Sequence, residues 1–272
     1  MIDAHLHLWR VGQNGCSWPG PDLPAIYRDF TVEDAKKVTK AAGVEAVVLV
    51  QSQPCAADTD FLLKLAEGEK FIRAVVGWTD LLSPDAPARI AALARNKKLR
   101  GLRPMLQDLP DGWISSPGLD PAIEAMIEHD LAFDALVYTR HLPGLCRFAE
   151  RHPALRLVID HAAKPPIASG EKDAWRNAIA ALADLPQVQC KLSGLLTEAG
   201  PRRDEAALAP YVEHLLVRFG ASRLIWGSDW PVLTLAGDYA GWLTEARHLT
   251  GGTPGDIFGG NALRFYGCSE RA

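Results

Sequence analysis

The chain has 272 residues, 48% of them hydrophobic and 23% charged, and a formal net charge of -4. Without a long basic run, this balance argues against nucleic acid or an anionic membrane as a partner, and no apolar stretch reaches the roughly 18–20 residues of a membrane span. The five cysteines (Cys16, Cys55, Cys146, Cys190 and Cys268) are odd in number and form no Cys-x-x-Cys pair, which argues against a disulfide framework or a zinc knuckle.

The first strand is expected at Ile2–Leu6. Nothing in Met1-Ile2-Asp3-Ala4-His5 resembles a signal peptide, so a cytoplasmic location is expected. A loop over 12–29, rich in Pro, Gly and Trp, precedes a helix opened by Thr31-Val32-Glu33-Asp34, whose threonine is a capping residue. Strands then follow at 45–51 and 71–77. The run Ala46-Val47-Val48-Leu49-Val50 is apolar on both faces, as in a parallel strand covered by helices. Ser83-Pro84 and Ser116-Pro117 punctuate the next helices, with a strand expected at 101–105 and a long loop at 107–118. Further strands are expected at 132–138, 156–160, 188–192 and 223–227, and the last two helices at 204–219 and 238–249.

Eight strand–helix alternations without a break in composition predict an α/β chain folded as one closed (β/α)8 barrel over residues 1–272. A doubly wound open sheet is the weaker alternative, because no Gly-x-Gly-x-x-Gly turn follows any strand. In a barrel the chemistry sits at the C-terminal ends of the strands. Polar residues collect there: His5 and His7, then Gln51, then Arg103 leading to Gln107. Tyr138, Asp160-His161 with Lys164, Ser193, and Asp229-Trp230 complete the set.

His5 and His7 are two apart on a strand, so they share a face and are placed to chelate a cation or to bond one oxygen. A chance pair is the alternative, and Asp229, placed after the last strand as a catalytic base would be, makes it the weaker one. Asp229 as a plain loop cap is the corresponding reading for that residue.

Ile2-Asp3-Ala4-His5-Leu6-His7-Leu8-Trp9, Val158-Ile159-Asp160-His161-Ala162-Ala163-Lys164-Pro165 and Leu224-Ile225-Trp226-Gly227-Ser228-Asp229-Trp230-Pro231 resemble the amidohydrolase-2 branch of the amidohydrolase superfamily. Gly101-Leu102-Arg103-Pro104-Met105-Leu106-Gln107 and Cys190-Lys191-Leu192-Ser193-Gly194-Leu195 extend the likeness along the chain. Within that branch the chain is most similar to lactonases of sugar lactones (L-fucono- and L-rhamnonolactones) and of 2-pyrone-4,6-dicarboxylate. The resemblance implies a barrel of the metal-dependent hydrolase type with His5, His7, His161 and Asp229 as its catalytic set. It also exposes departures: two-metal relatives carry a lysine after strand 4 and a histidine after strand 5, where this chain has Arg103, Met105 and Tyr138. His141 lies too far along to substitute. The implied cofactor is one divalent ion, zinc by preference, on His5, His7 and Asp229, or none.

The reaction expected is hydrolysis of a small lactone, a sugar-derived 1,4- or 1,5-aldonolactone in carbohydrate catabolism. Asp229 would take a proton from water and later deliver it to the ring oxygen, while His5, His7 and His161 polarise the carbonyl directly or through the ion. Gln51, Arg103, Gln107, Tyr138, Lys164, Ser193 and Trp230 are expected to hold the substrate. For Lys164 and Arg103 the competing role is a loop-base ion pair, and for Gln51 and Ser193 a strand-end hydrogen bond. Trp113 is either a pocket lid or loop packing, and Trp18 a core or loop residue. The alternatives are a 2-pyrone-4,6-dicarboxylate lactonase, a metal-dependent decarboxylase, and a non-catalytic sugar-acid binder. A serine hydrolase is excluded by the lack of a Gly-x-Ser-x-Gly elbow. A monomer or a homodimer is expected.

Overall fold

Eight parallel strands form in the computed structural model, which describes residues 1–252 and 256–268. They are β1 (Ile2–Leu6), β2 (Ala46–Val50), β3 (Ile72–Gly77), β4 (Leu99–Leu102), β5 (Ala132–Ala135), β6 (Leu157–Ile159), β7 (Val188–Leu192) and β8 (Leu224–Trp226). Each pairs with the next in chain order, and a parallel bridge from Leu6 to Trp230 brings the last strand back to the first. Helices alternate with the strands from Val32–Ala41 to Tyr239–Leu249, and Asn261–Phe265 follows them. The architecture is the (β/α)8 barrel. Among the described residues no helix is long and apolar enough to cross a membrane, and all five cysteines are free.

Local chemistry sets the helix starts. The Thr31 hydroxyl accepts from the Asp34 amide at 3.2 Å while the Asp34 carboxylate accepts from the Thr31 amide at 3.0 Å, a reciprocal cap. Asp204 and Asp238, expected as first helical residues, stand outside as caps of Glu205–Phe219 and Tyr239–Leu249. Six of the eight strands are shorter than the sequence suggests, and β4 and β5 differ for identifiable reasons. β4 starts at Leu99 and stops at Leu102, just short of Pro104, which has no N–H for the ladder. β5 stops at Ala135 because its neighbour β6 ends at Ile159, leaving later residues without a ladder partner.

The barrel interior is layered. Its lower part is apolar, with Ile2, Ala4, Ala46, Val48, Val76, Val158 and Ile225 packed against Phe265 and Tyr266 beyond β8. Above them lies a charged layer: Lys191 Nζ is 2.6 Å from Asp134 and 2.9 Å from Asp160, and the Tyr266 hydroxyl donates to Asp134 at 2.6 Å. All these groups are buried.

The register of β1 shifts between Asp3 and Leu6, and this places the histidines. Ile2 and Ala4 belong to the interior cluster, whereas Leu6 and Leu8 pack in the outer core. A strict two-residue alternation would put His5 with the outer set. The irregularity flips the faces, so His5 and His7 project into the barrel mouth.

Candidate active site

Four side chains converge above the charged layer. His5 Nε2 is 3.2 Å from His7 Nε2, and His7 Nε2 is 3.2 Å from Asp229 Oδ1. Asp229 Oδ1 also lies 3.7 Å from His5 Nε2 and 3.8 Å from His161 Nε2.

Unusual backbone brings them together. His161, Ala162, Ala163 and Lys164 have φ of 51°, 51°, 60° and 50°, a turn of left-handed backbone after β6. Such residues cost roughly 1–2 kcal/mol each, and surrounding contacts must impose them. Trp175 Nε1 donates to the Ala162 carbonyl at 2.7 Å, and the Ser193 hydroxyl bonds His161 Nδ1 at 2.8 Å. Gly194 is required beside this ring, since a Cβ there would sit 2.7 Å from His161. Gly227 plays the same part for His5, whose Cβ would lie 2.6 Å from an added methyl.

Each imidazole is fixed from behind. His7 Nδ1 is 2.8 Å from the Val50 carbonyl, which can only accept, so His7 carries its proton on Nδ1 and turns a lone pair toward Asp229. His5 Nδ1 is 3.2 Å from Lys191 Nζ and 3.5 Å from Asp160. Burial alone would raise Asp229, but His161, His7 and His5 outweigh it and hold the carboxyl well below the usual range. Burial pushes His161 down to about 4, against the opposing pull of Asp229 and Asp160. At neutral pH the centre holds an ionised Asp229 carboxylate beside a neutral His161 ring.

The centre opens into a cavity of about 450 Å³, a small-molecule volume. Of the substrate-binding residues expected from the sequence, Arg103, Gln107 and Lys164 line it together with His7, His161 and Asp229. Arg103 Nη1 is 3.5 Å from His5 Nε2 and 3.6 Å from Asp160, and its Nη2 donates to the Gln51 carbonyl. Lys164 donates to Gln107 Oε1 at 2.7 Å.

The other four expected residues lie off the wall. Gln51 is buried, with its amide donating to the Arg103 carbonyl at 2.8 Å, and Ser193 is buried behind His161. Trp230 packs edge-on against Phe30 at 5.0 Å. Tyr138 lines a neighbouring shallow depression, its ring centroid 5.2 Å from Lys164 Nζ. His141 bonds Asp111 at 3.1 Å outside the cavity, and Trp113 packs against the outer core.

Trp18, expected as a core or loop residue, is a loop residue, half-exposed on the cavity wall with Leu235. Ser52, Gln53 and Glu198 also line it. Gln53 could have been found from its place just past β2. Glu198 sits six residues past β7, and the sequence offers no further signal for it.

The donor set fits a single divalent cation. Ligating atoms of His5, His161 and Asp229 lie within 4.8 Å of one another, and His7 Nε2 is within 3.2 Å of both His5 and Asp229. Ligands about 2.1 Å from a tetrahedral zinc stand roughly 3.4 Å apart, and Asp229 Oδ1 is 3.2 Å from His7, 3.7 Å from His5 and 3.8 Å from His161. The His7 lone pair facing a carboxylate oxygen also calls for a proton or a cation between them.

Comparison with known proteins places the chain. The amidohydrolase family model matches residues 2–268. An L-fucono-1,5-lactonase of Burkholderia ambifaria is 55% identical, covering 97% of this chain and 94% of the relative. An L-fucono-1,5-lactonase of Burkholderia multivorans is 37% identical, over 100% of this chain and 97% of its own. The crystal structure of a Burkholderia multivorans amidohydrolase with bound zinc superposes with a TM-score of 0.91 at 36% identity, covering 98% and 99% of the two chains. With a family model that spans nearly its whole length and a site of three histidines and an aspartate in the barrel mouth, the chain belongs to the amidohydrolase family.

Proposed function

We propose that the chain hydrolyses a sugar-derived aldonolactone, of the L-fucono-1,5-lactone class, to the open-chain acid. The observation that carries this reading is an ionised Asp229 within 3.2–3.8 Å of three imidazoles at the base of a small cavity. Ester hydrolysis needs a base for water and donors for the oxyanion, and both are preassembled here. The lactonase class is that of the relatives at 55% and 37% identity.

In this reading Asp229 accepts the proton of the attacking water. Its low affinity for protons keeps it ready at neutral pH. His5, His161 and Arg103 stabilise the charge that develops on the carbonyl oxygen, while His7, whose lone pair faces the site, is placed to hold a cation. A bound divalent ion, held by His5, His7, His161 and Asp229, would supply Lewis-acid polarisation of that carbonyl. Ser193 keeps the His161 ring in place, and Gln51 does the same for Arg103. Gln107 and Lys164, with Gln53, hold the hydroxyls of the sugar, while Trp18 and Leu235 meet its C–H face. Tyr138 and Trp230 support this wall from outside it.

A dicarboxylate substrate fits less well. Arg103 is the one arginine on the cavity wall among the described residues, and it is already engaged with Asp160 and Gln51. Metal-dependent decarboxylation is given no added support: among the described residues no histidine reaches the cavity from the end of β5, and His141 turns to Asp111.

The test is proton release from a panel of lactones, followed with a pH indicator with and without chelator. The panel holds L-fucono-, L-rhamnono- and L-galactonolactones and 2-pyrone-4,6-dicarboxylate. Turnover of the sugar lactones is expected, and the chelator arm reads whether the ion is needed. Folded protein that turns over none of them would refute the reading.

A further inference from the structure

A second carboxyl faces the same cavity. Glu198 ends the short helix Leu195–Glu198 after β7, and its side chain is 25% exposed. The one charged group within ion-pair range among the described residues is Lys164 Nζ, at 3.8 Å. That ammonium is already bonded to Gln107 at 2.7 Å. No described residue gives the Glu198 carboxyl a hydrogen bond, although it is mostly shielded from water. An acid so placed is either satisfied by a substrate or carries its own proton.

We propose that Glu198 is the proton donor to the departing ring oxygen, a catalytic carboxyl working beside Asp229. The proposal rests on the lactonase reading above and deepens it by dividing the proton traffic between two groups. The charged groups facing Glu198 are Lys164, from the turn after β6, and Asp229, from the turn after β8. Burial raises Glu198; Lys164 opposes this and the charge of Asp229 adds to it, leaving the carboxyl above its ordinary range. The two carboxyls line one cavity from neighbouring strand ends. Asp229 is surrounded by three imidazoles, whereas the Glu198 carboxyl has no hydrogen-bond donor among the described residues, and this contrast divides the roles of base and acid.

The step balances. As the water oxygen bonds to the carbonyl carbon, its proton passes to Asp229. The ring C–O bond then breaks with its electron pair on the ring oxygen, which takes the proton of Glu198 and leaves as a free hydroxyl. Solvent carries the Asp229 proton back to Glu198, and the new acid ionises. A sugar alkoxide is too basic to leave unprotonated at a useful rate, so the donor matters most for these substrates.

The experiment measures kcat and KM against pH on L-fuconolactone for wild type, Glu198→Gln and Glu198→Ala. Expected is a fall in kcat of roughly 100-fold or more for Glu198→Gln, with KM little changed. The wild-type profile should fall on its alkaline side as Glu198 loses its proton, and this limb should vanish in both variants. Formate or acetate in its acid form should restore part of the activity of Glu198→Ala. Undiminished kcat with a raised KM would overturn the proposal and make Glu198 a hydroxyl anchor only. Loss of kcat with the alkaline limb intact would overturn it as well. A wild type silent on every lactone overturns the lactonase reading itself, and the proposal with it.

Discussion

The backbone amide of Asp229 donates to the carbonyl of His5 at 2.8 Å, so the proposed base and the first imidazole are joined by a bond that closes the barrel. The same seam carries His7 N to Trp230 O at 2.8 Å. Asp3 ties it from outside, accepting from the amides of His5 at 3.1 Å and Ser228 at 2.9 Å and from the Tyr239 hydroxyl at 2.8 Å. Three donors are thus satisfied by one buried carboxyl.

Asp3→Ala is therefore expected to cost about 3 kcal/mol or more, because it strands buried donors. For a chain of this size that is a fall in Tm of roughly 6–12 °C. Tyr239→Phe removes one donor together with its need and should cost about 1 kcal/mol. Thermal melts of the two variants check this, and equal melting temperatures for Asp3→Ala and wild type would show that the seam does not depend on Asp3.

Much of this was legible in the sequence, for reasons that differ by residue. The eight apolar runs give the barrel because strands buried on both faces read as continuous Val, Ile, Leu and Ala. Asp229 and the histidine motifs were legible because chemistry-bearing residues gather at strand ends. The β1 irregularity was not, since a shift of register leaves no mark on composition. Nor was the Asp134–Lys191–Asp160 layer: Asp134 lies on β5, Asp160 just past β6 and Lys191 on β7, and only the folded sheet turns them inward together, with Lys191 within 3 Å of both carboxylates. Gln51 and Ser193 stood at the right strand ends, yet which way a strand-end side chain turns is decided by neighbours such as Arg103 and His161.

Lys191 gives the second prediction. Its ammonium sits between two buried carboxylates that hold it protonated against the cost of burial. Lys191→Met would leave them uncompensated, a loss of about 3–5 kcal/mol. The double variant Lys191→Met/Asp134→Asn should recover part of it, because one of the stranded charges is gone. Urea denaturation midpoints decide, and a single variant as stable as wild type would contradict the argument.

Asp229→Asn tests the proposed base directly. The amide is nearly isosteric but cannot take a proton, so kcat on L-fuconolactone should fall by roughly 10³-fold or more while the fold persists. Circular dichroism and steady-state rates measured together separate chemistry from folding. Near wild-type turnover would remove Asp229 from the mechanism.

The last prediction concerns acid stability. In the unfolded chain His161 takes up a proton around pH 6.5, but in the folded chain burial holds it down to about 4. Between these values the unfolded state binds more protons, so stability rises with pH there. The contribution is complete above pH 6.5 and is lost as the pH falls toward 4. One such group changes stability by about 1.4 kcal/mol per pH unit, on the order of 3 kcal/mol across the window. His5 is displaced in the same direction, by burial first and Lys191 second, and steepens the decline. Melts of chelator-treated protein should show a Tm that is level from about pH 8 to 7 and then falls steadily to about pH 4.5. His161→Gln should lower the plateau but flatten the decline, since it removes the titrating group. A wild-type Tm that stays level or rises on acidification through this range would mean that His161 is protonated in the folded protein, and the neutral-imidazole description of the centre would have to be given up.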